Sequence, residues 1–186
     1  MDRSWLKYCA TEEQLKTFND EGYLIVEDAL TPEMVDKLNV VVERIDAEER
    51  AKQGLCPHQL VKKFRTVVAD DLFLELLDTP KMFPLLWDIL GWNIQFYISH
   101  LIIYPPDPPD APRFRTGVGW HQDGGRPVPE MERPHPRLSL KVSYWLSDVS
   151  QPDRGALRIF PVATNSTRAP LRAPRMVTRT VQSKYE

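Results

Sequence analysis

The hydrophobic period of the chain changes once, near Asn93, and that change divides what its two halves can fold into. Before it, apolar residues recur at helical spacing. Thr11-Glu-Glu-Gln14 is a capping box, in which the threonine hydroxyl caps the helix and the glutamine reaches back. The helix it opens turns Leu15 and Phe18 inward and stops near Gly22, a residue suited to a left-handed helix end. Tyr23 to Val26 reads as a short apolar strand. Thr31-Pro32 opens a second helix, with proline at the first helical position, where its missing N–H costs nothing. Met34, Leu38, Val41, Val42 and Ile45 form its expected buried stripe. Leu72 to Leu77 reads as a helix. Thr79-Pro80 opens another, lined by Met82, Phe83, Leu86 and Ile89 and ending at Gly91.

From Asn93 the period is two. Ile94, Phe96, Ile98, His100, Ile102 and Tyr104 alternate with Gln95, Tyr97, Ser99, Leu101 and Ile103, so both faces are apolar, as for a strand covered on both sides. Pro105 ends it, and the proline-broken loop that follows cannot continue a ladder. Arg137 to Ser147 reads as another strand, Gln151 to Gly155 as a turn, and Ala156 to Phe160 as a third β segment. The fold class is therefore α+β: helices first, then a sheet or barrel that is cut short.

At 186 residues with 42% hydrophobic content, the chain suits one domain with a sizeable core. A net charge of −2 provides no basic field for nucleic acid. No apolar run reaches the length of a membrane span, and the first residues lack the apolar stretch of a secretory signal. The two cysteines, Cys9 and Cys56, have no metal or redox spacing, so a reduced, cytoplasmic protein is expected. Residues 162–186 differ from the rest. They hold Arg168, Arg172, Arg175, Arg179 and Lys184 against Glu186 alone, a net charge of about +4, and no apolar periodicity.

Between the strands lies Gly119-Trp-His-Gln-Asp-Gly-Gly125. On a strand, His121 and Asp123 point to one side and can grip one cation. Alone, a His-x-Asp pair is a weak signal. A surface turn in which Asp123 caps local amides is the alternative. The glycines at 124 and 125, which allow close approach to a bound group, and the apolar strands on either side favour the metal.

Several stretches recur together in order: Tyr23 to Glu33, Ser99 to Pro106, Gly119 to Asp123, Leu138 to Ser150 and Gly155 to Pro161. In this the chain resembles the phytanoyl-CoA dioxygenase family, iron(II)- and 2-oxoglutarate-dependent oxygenases on a double-stranded β-helix. The resemblance covers residues 11 to 161. It implies N-terminal helices packed on an incomplete double-stranded β-helix of the jelly-roll or cupin-like kind. It implies that residues 1–161 are the domain and 162–186 a basic tail. His121 and Asp123 become two iron ligands of a two-histidine, one-carboxylate triad, with 2-oxoglutarate and O2 at the open positions. Asp123 speaks against the halogenase variants, in which a small residue stands in its place.

The family's 2-oxoglutarate contacts fall at His100, at Tyr144 and at Lys62 or Lys63. The plainer alternatives are a hydrogen-bonded core histidine, a core tyrosine and a solvated lysine face. His58 and His135 lie beside prolines and are expected to face water. The expected reaction is hydroxylation of a small-molecule C–H bond, with no nucleic-acid or membrane partner and the oligomeric state open. Loops 105–119 and 124–137 would form the pocket mouth, where Arg113, Arg115 and Arg126 can meet an anionic substrate.

The family pattern breaks after Pro161. The family continues with Gly-Ser-His, whereas this chain has Val162-Ala-Thr-Asn165, and no histidine follows His135. The third iron ligand and the arginine that clamps the far carboxylate of 2-oxoglutarate have no counterpart. Permitted codons for Val162 to Asn165, read with one base restored in front, give Gly-Ser-His-Lys. Residues 162–186 are accordingly expected to be disordered or out of frame, with a divergent in-frame tail as the alternative. Three functions remain in view: a dioxygenase weakened by the loss, a non-catalytic binding or scaffold protein, and another cupin-like metal enzyme.

Overall fold

The structure, a computed structural model, describes residues 2–110, 139–151 and 154–159, together with the backbone of residues 175–176. Its architecture is α+β. In chain order there is a short 3₁₀ segment (Arg3–Tyr8), helix α1 (Glu12–Glu21), helix α2 (Pro32–Gln53) and strand β1 (Val61–Phe64). Helix α3 (Phe83–Leu90), strand β2 (His100–Ile103), strand β3 (Arg158–Ile159) and strand β4 (Arg175–Met176) follow.

The first two helices form where their end signals lie. Thr11 Oγ1 accepts from the Gln14 amide at 3.1 Å, and Gln14 Oε1 accepts from the Thr11 amide at 2.9 Å, which completes the capping box. Gly22 closes α1 at φ 81°, a left-handed conformation that a side chain would strain. In α2, Thr31 Oγ1 accepts from the Met34 amide at 3.2 Å and Pro32 takes the first helical position. The buried stripe of α2 is Val35, Leu38, Ile45 and Glu49, with Met34 and Val41 only half-buried beside it. A glutamate on that stripe is invisible to an apolar pattern.

Three local expectations need correction. Tyr23 to Val26 is not a strand, because it finds no pairing partner among the described residues. Leu72 to Leu77 is not an α-helix. Asp70 accepts from the Leu72 amide at 2.9 Å and caps a 3₁₀ turn, Asp71–Phe73, and turns continue to residue 78. Helix α3 begins at Phe83 rather than at Pro80. Pro84 has no N–H to give the Pro80 carbonyl, so a continuous ladder cannot extend back across it.

The sheet is smaller than the period-two pattern suggests. Only His100–Ile103 of the expected strand is paired, antiparallel to β1, which the pattern did not indicate. The register sets Val61 opposite Ile103, Lys62 opposite Ile102, Lys63 opposite Leu101 and Phe64 opposite His100. Residues 139–150 form no strand among the described residues, and β3 pairs antiparallel with β4. Among the described residues the strands therefore form two separate two-stranded pairs. The core centres on Leu38, Ile45 and Phe73, with Leu101 and Leu146 packed against it from the β half. Among these residues no helix is long and apolar enough to cross a membrane.

Candidate functional site

Residues opposite one another on antiparallel strands share a face. Lys62, Phe64, His100 and Ile102 therefore lie on one face of the β1–β2 pair, and Val61, Lys63, Leu101 and Ile103 on the other. The second face packs on α2 and the core, and Val61 is fully buried there. The first face is open. The rings of Phe64 and His100 are 6.0 Å apart and tilted by 52°, and Lys62 Nζ sits 4.9 Å from the centre of the Phe64 ring. An ammonium and an imidazole thus flank one phenyl ring on an exposed face, a donor set suited to a carboxylate.

The pair Lys62-Lys63, left open by the sequence, is divided by the fold. Lys63 Nζ lies 2.6 Å from Glu49 Oε1, and Gln53 Nε2 donates to Glu49 Oε2 at 2.6 Å. The Lys63 ammonium first, then Gln53, holds the Glu49 carboxyl below the usual glutamate range, against an opposing effect of burial. A depressed carboxyl contributes stability above its unfolded value, and that contribution is lost as pH falls through the lowered one.

Tyr144 is placed elsewhere. Its hydroxyl donates to the Leu76 carbonyl at 3.1 Å and lies 3.3 Å from Thr79 Oγ1. Burial pushes its phenol up from the ordinary tyrosine range, partly offset by the bond to Thr79. The structure thus brings His100 and Lys62 together, and engages Tyr144 with the segment between α2 and α3. Exposed His58 sets Nδ1 2.8 Å from the Pro106 carbonyl, tying the approach to β1 to the loop after β2.

His121 and Asp123 lie outside the described residues, as do Trp120, His135 and the three loop arginines. Among the described residues no group of three His, Cys, Asp or Glu side chains could hold a metal. A cleft of about 380 Å³ opens between Arg3, Leu6, Phe83, Trp87, Trp92 and Ile94, and it contains none of the candidate residues. Sequence reasoning missed Phe64 and Glu49. A four-residue Val-Lys-Lys-Phe strand carries too short an alternation to read, and Glu49 shows only by its helical spacing, one turn beyond Ile45.

Residues 18–181 match the family model described as phytanoyl-CoA dioxygenase (PhyH). The chain belongs to the phytanoyl-CoA dioxygenase family. The match extends past Pro161 and takes in β4. The ectoine dioxygenase of Nocardia farcinica (strain IFM 10152) is 27% identical over 156 residues, which is 80% of this chain and 49% of that protein. This member of the phytanoyl-CoA dioxygenase family thus spans about half the length of the curated relative it matches. No solved structure matches it.

Proposed function

We propose that the protein is an Fe(II)- and 2-oxoglutarate-dependent dioxygenase that hydroxylates a C–H bond of a small molecule, on a jelly-roll fold of which the described strands are a part. The observation that carries this reading is the family match across the segment that contains His121-Gln-Asp123. An imidazole nitrogen and a carboxylate oxygen suit Fe(II), which keeps positions open for co-substrates. When bound, the iron supplies the oxidising chemistry, in which 2-oxoglutarate, O2 and a C–H substrate become succinate, CO2 and an alcohol.

The chain's own residues bind and orient. His121 and Asp123 would hold the metal. Lys62 and His100 offer positive charge and hydrogen-bond donors to a 2-oxoglutarate carboxylate on the open face of β1–β2. Tyr144 is committed to the Leu76 carbonyl and stands apart from this pair. Residues 1–161 make up this machinery, and 162–186 are a tail that adds no ligand. A non-catalytic binding role is the second reading, favoured by Val162-Ala-Thr-Asn165 standing where the family has Gly-Ser-His.

Co(II) titration of the full chain, followed by absorption, separates the two. The expected result is saturable binding that His121→Ala and Asp123→Ala each weaken by more than the roughly 10–100-fold that loss of a supporting partner costs. Equal binding by wild type and both variants would sink the metal reading. Turnover is a stiffer test. With two assigned protein ligands and no assigned arginine clamp, little or no succinate formation is expected from these 186 residues. Brisk formation coupled to O2 consumption would show that other residues complete the site.

A further inference from the structure

We propose that Arg65 is a specificity-determining residue of the candidate 2-oxoglutarate site, a second cation that grips a carboxylate beside Lys62 and His100. Among the described residues two non-glycines have positive φ, Asp28 at 49° and Arg65 at 57°. Aspartate suits this left-handed region, because its short side chain can bond the nearby backbone. Arginine has no such bond and bears the clash of its Cβ with the main chain. Glycine or asparagine would hold the same turn with less strain. An arginine kept there needs a reason beyond folding.

The backbone around it is fixed. The Arg65 amide donates to the Ser99 carbonyl at 2.8 Å, one residue beyond the Phe64–His100 pair, and the Arg65 carbonyl accepts from the Val68 amide at 3.1 Å. Continued alternation would send position 65 to the face of Val61 and Lys63, against α2. The left-handed turn breaks that alternation. Arg65 is exposed, and Thr66, 3% exposed, goes inward instead. A guanidinium is thereby left in water at the end of β1, beside the pair that carries His100 and three residues from Lys62.

Its charge is uncommitted. Arg44 is paired with Glu48 and Asp70, Arg50 with Asp46, and Arg154 with Asp148. Arg65 has no side-chain partner among the described residues, and there Lys62 meets only the Phe64 ring. Glu49 cannot serve either of them, since Lys63 takes it on the other face. Two neighbouring cations without a carboxylate of the chain suit a carboxylate from outside. Arginine adds what Lys62 lacks, a planar fork whose N–H groups match both oxygens of a carboxylate. The carboxylate that distinguishes 2-oxoglutarate from a 2-oxo monoacid is the one remote from its oxo group, and this cation pair is suited to recognise it. The inference rests on the proposed co-substrate role of Lys62 and His100.

Calorimetric titration of the full chain with glutarate, and with 2-oxoglutarate in the presence of Co(II), tests this without any turnover. Arg65→Asn removes the guanidinium and installs a residue at ease in the left-handed region. Glutarate, which has both carboxylates and no oxo group, is expected to bind the wild type. Arg65→Asn and Lys62→Met are each expected to weaken it roughly tenfold or more, as for loss of a hydrogen bond to a charged group. 2-Oxobutyrate with Co(II), which lacks the remote carboxylate, is expected to bind wild type and both variants equally. Thermal unfolding supplies a readout that a structural role would move the other way. Because asparagine relieves strain, the midpoint of Arg65→Asn is expected to stay level or rise, and Arg65→Gly repeats the comparison. Undiminished glutarate binding by Arg65→Asn overturns the proposal. Weaker binding together with a lower midpoint overturns it as well, since the loss is then structural. The reading beneath it fails separately. If 2-oxoglutarate with Co(II) binds no more tightly than glutarate, while glutarate still needs Arg65, the co-substrate role falls and the carboxylate grip stands. If 2-oxoglutarate binds more tightly and loses affinity in Lys62→Met but not in Arg65→Asn, the co-substrate role stands and that of Arg65 falls. Binding of neither ligand sinks both.

Discussion

Helix α2 and the segment from Asn93 to Tyr104 are both rich in apolar residues, yet only one of them buries what it carries. In α2, Leu38 is 0% and Ile45 1% exposed. In the later segment Phe96 is 53% and Tyr97 92% exposed. Hydrophobicity does not separate the two. A helix satisfies its own backbone within a few residues and needs only a surface to lie on. A strand leaves its backbone N–H and C=O groups unpaired until another strand arrives. The helical half is complete among the described residues, and the β half is paired there only as β1 with β2 and β3 with β4.

The largest effect should therefore come from the middle of α2. Leu38→Ala removes a side chain packed with Ile45 and Phe73, and Leu101 and Leu146 rest on the same cluster. Urea unfolding is expected to show a loss of about 2–5 kcal/mol. A loss below about 1 kcal/mol would mean that the two halves do not share this core.

Tyr144→Phe probes the seam between the halves. It keeps the ring and deletes the hydroxyl that donates to the Leu76 carbonyl and meets Thr79. A carbonyl stripped of its donor costs about 1–3 kcal/mol, to be read from the same unfolding curves. A neutral result, with 2-oxoglutarate binding weakened instead, would assign Tyr144 to the co-substrate wall rather than to the seam.

The same contrast explains which parts of the molecule were legible beforehand. Thr11, Gly22, Thr31 and Pro32 announced their helices because caps act over three or four residues, a range that a sequence displays directly. The strand around His100 was read too long, since its extent depends on a partner nearly forty residues earlier in the chain. For the site, Lys62 and His100 were both named from the resemblance, but their common face follows from register, which no local pattern encodes. Phe64 between them and Glu49 behind Lys63 escaped notice for the same reason. Leu72 to Leu77 failed in the opposite sense. Its composition suits a helix, but the Asp70 side chain offered a competing local bond and a tighter turn won.

A smaller effect tests how far α2 stands on its own. Thr31→Ala removes the hydroxyl that accepts from the Met34 amide and leaves the packing of Leu38 untouched. The expected cost is about 1 kcal/mol, with little change in the slope against urea. A much larger cost would show that the first turn of α2 holds more than its own cap.

The smallest effect should fall on the most exposed aromatic among the described residues of the β half. Tyr97 is 92% exposed, and its neighbours Phe96 and Ile98 are about half exposed. If that segment faces water in solution as it does here, Tyr97→Ser changes stability by no more than about 0.5 kcal/mol. The measurement is sharpest when it is paired with Leu38→Ala in one set of unfolding curves, because the ratio of the two effects is the contrast between the halves expressed as energy. A cost of about 2 kcal/mol or more for Tyr97→Ser would place a covering layer over residues 96–98, supplied by the rest of this chain or by a second copy. Repeating the measurement at two protein concentrations tells those sources apart, since only the second makes the cost depend on concentration.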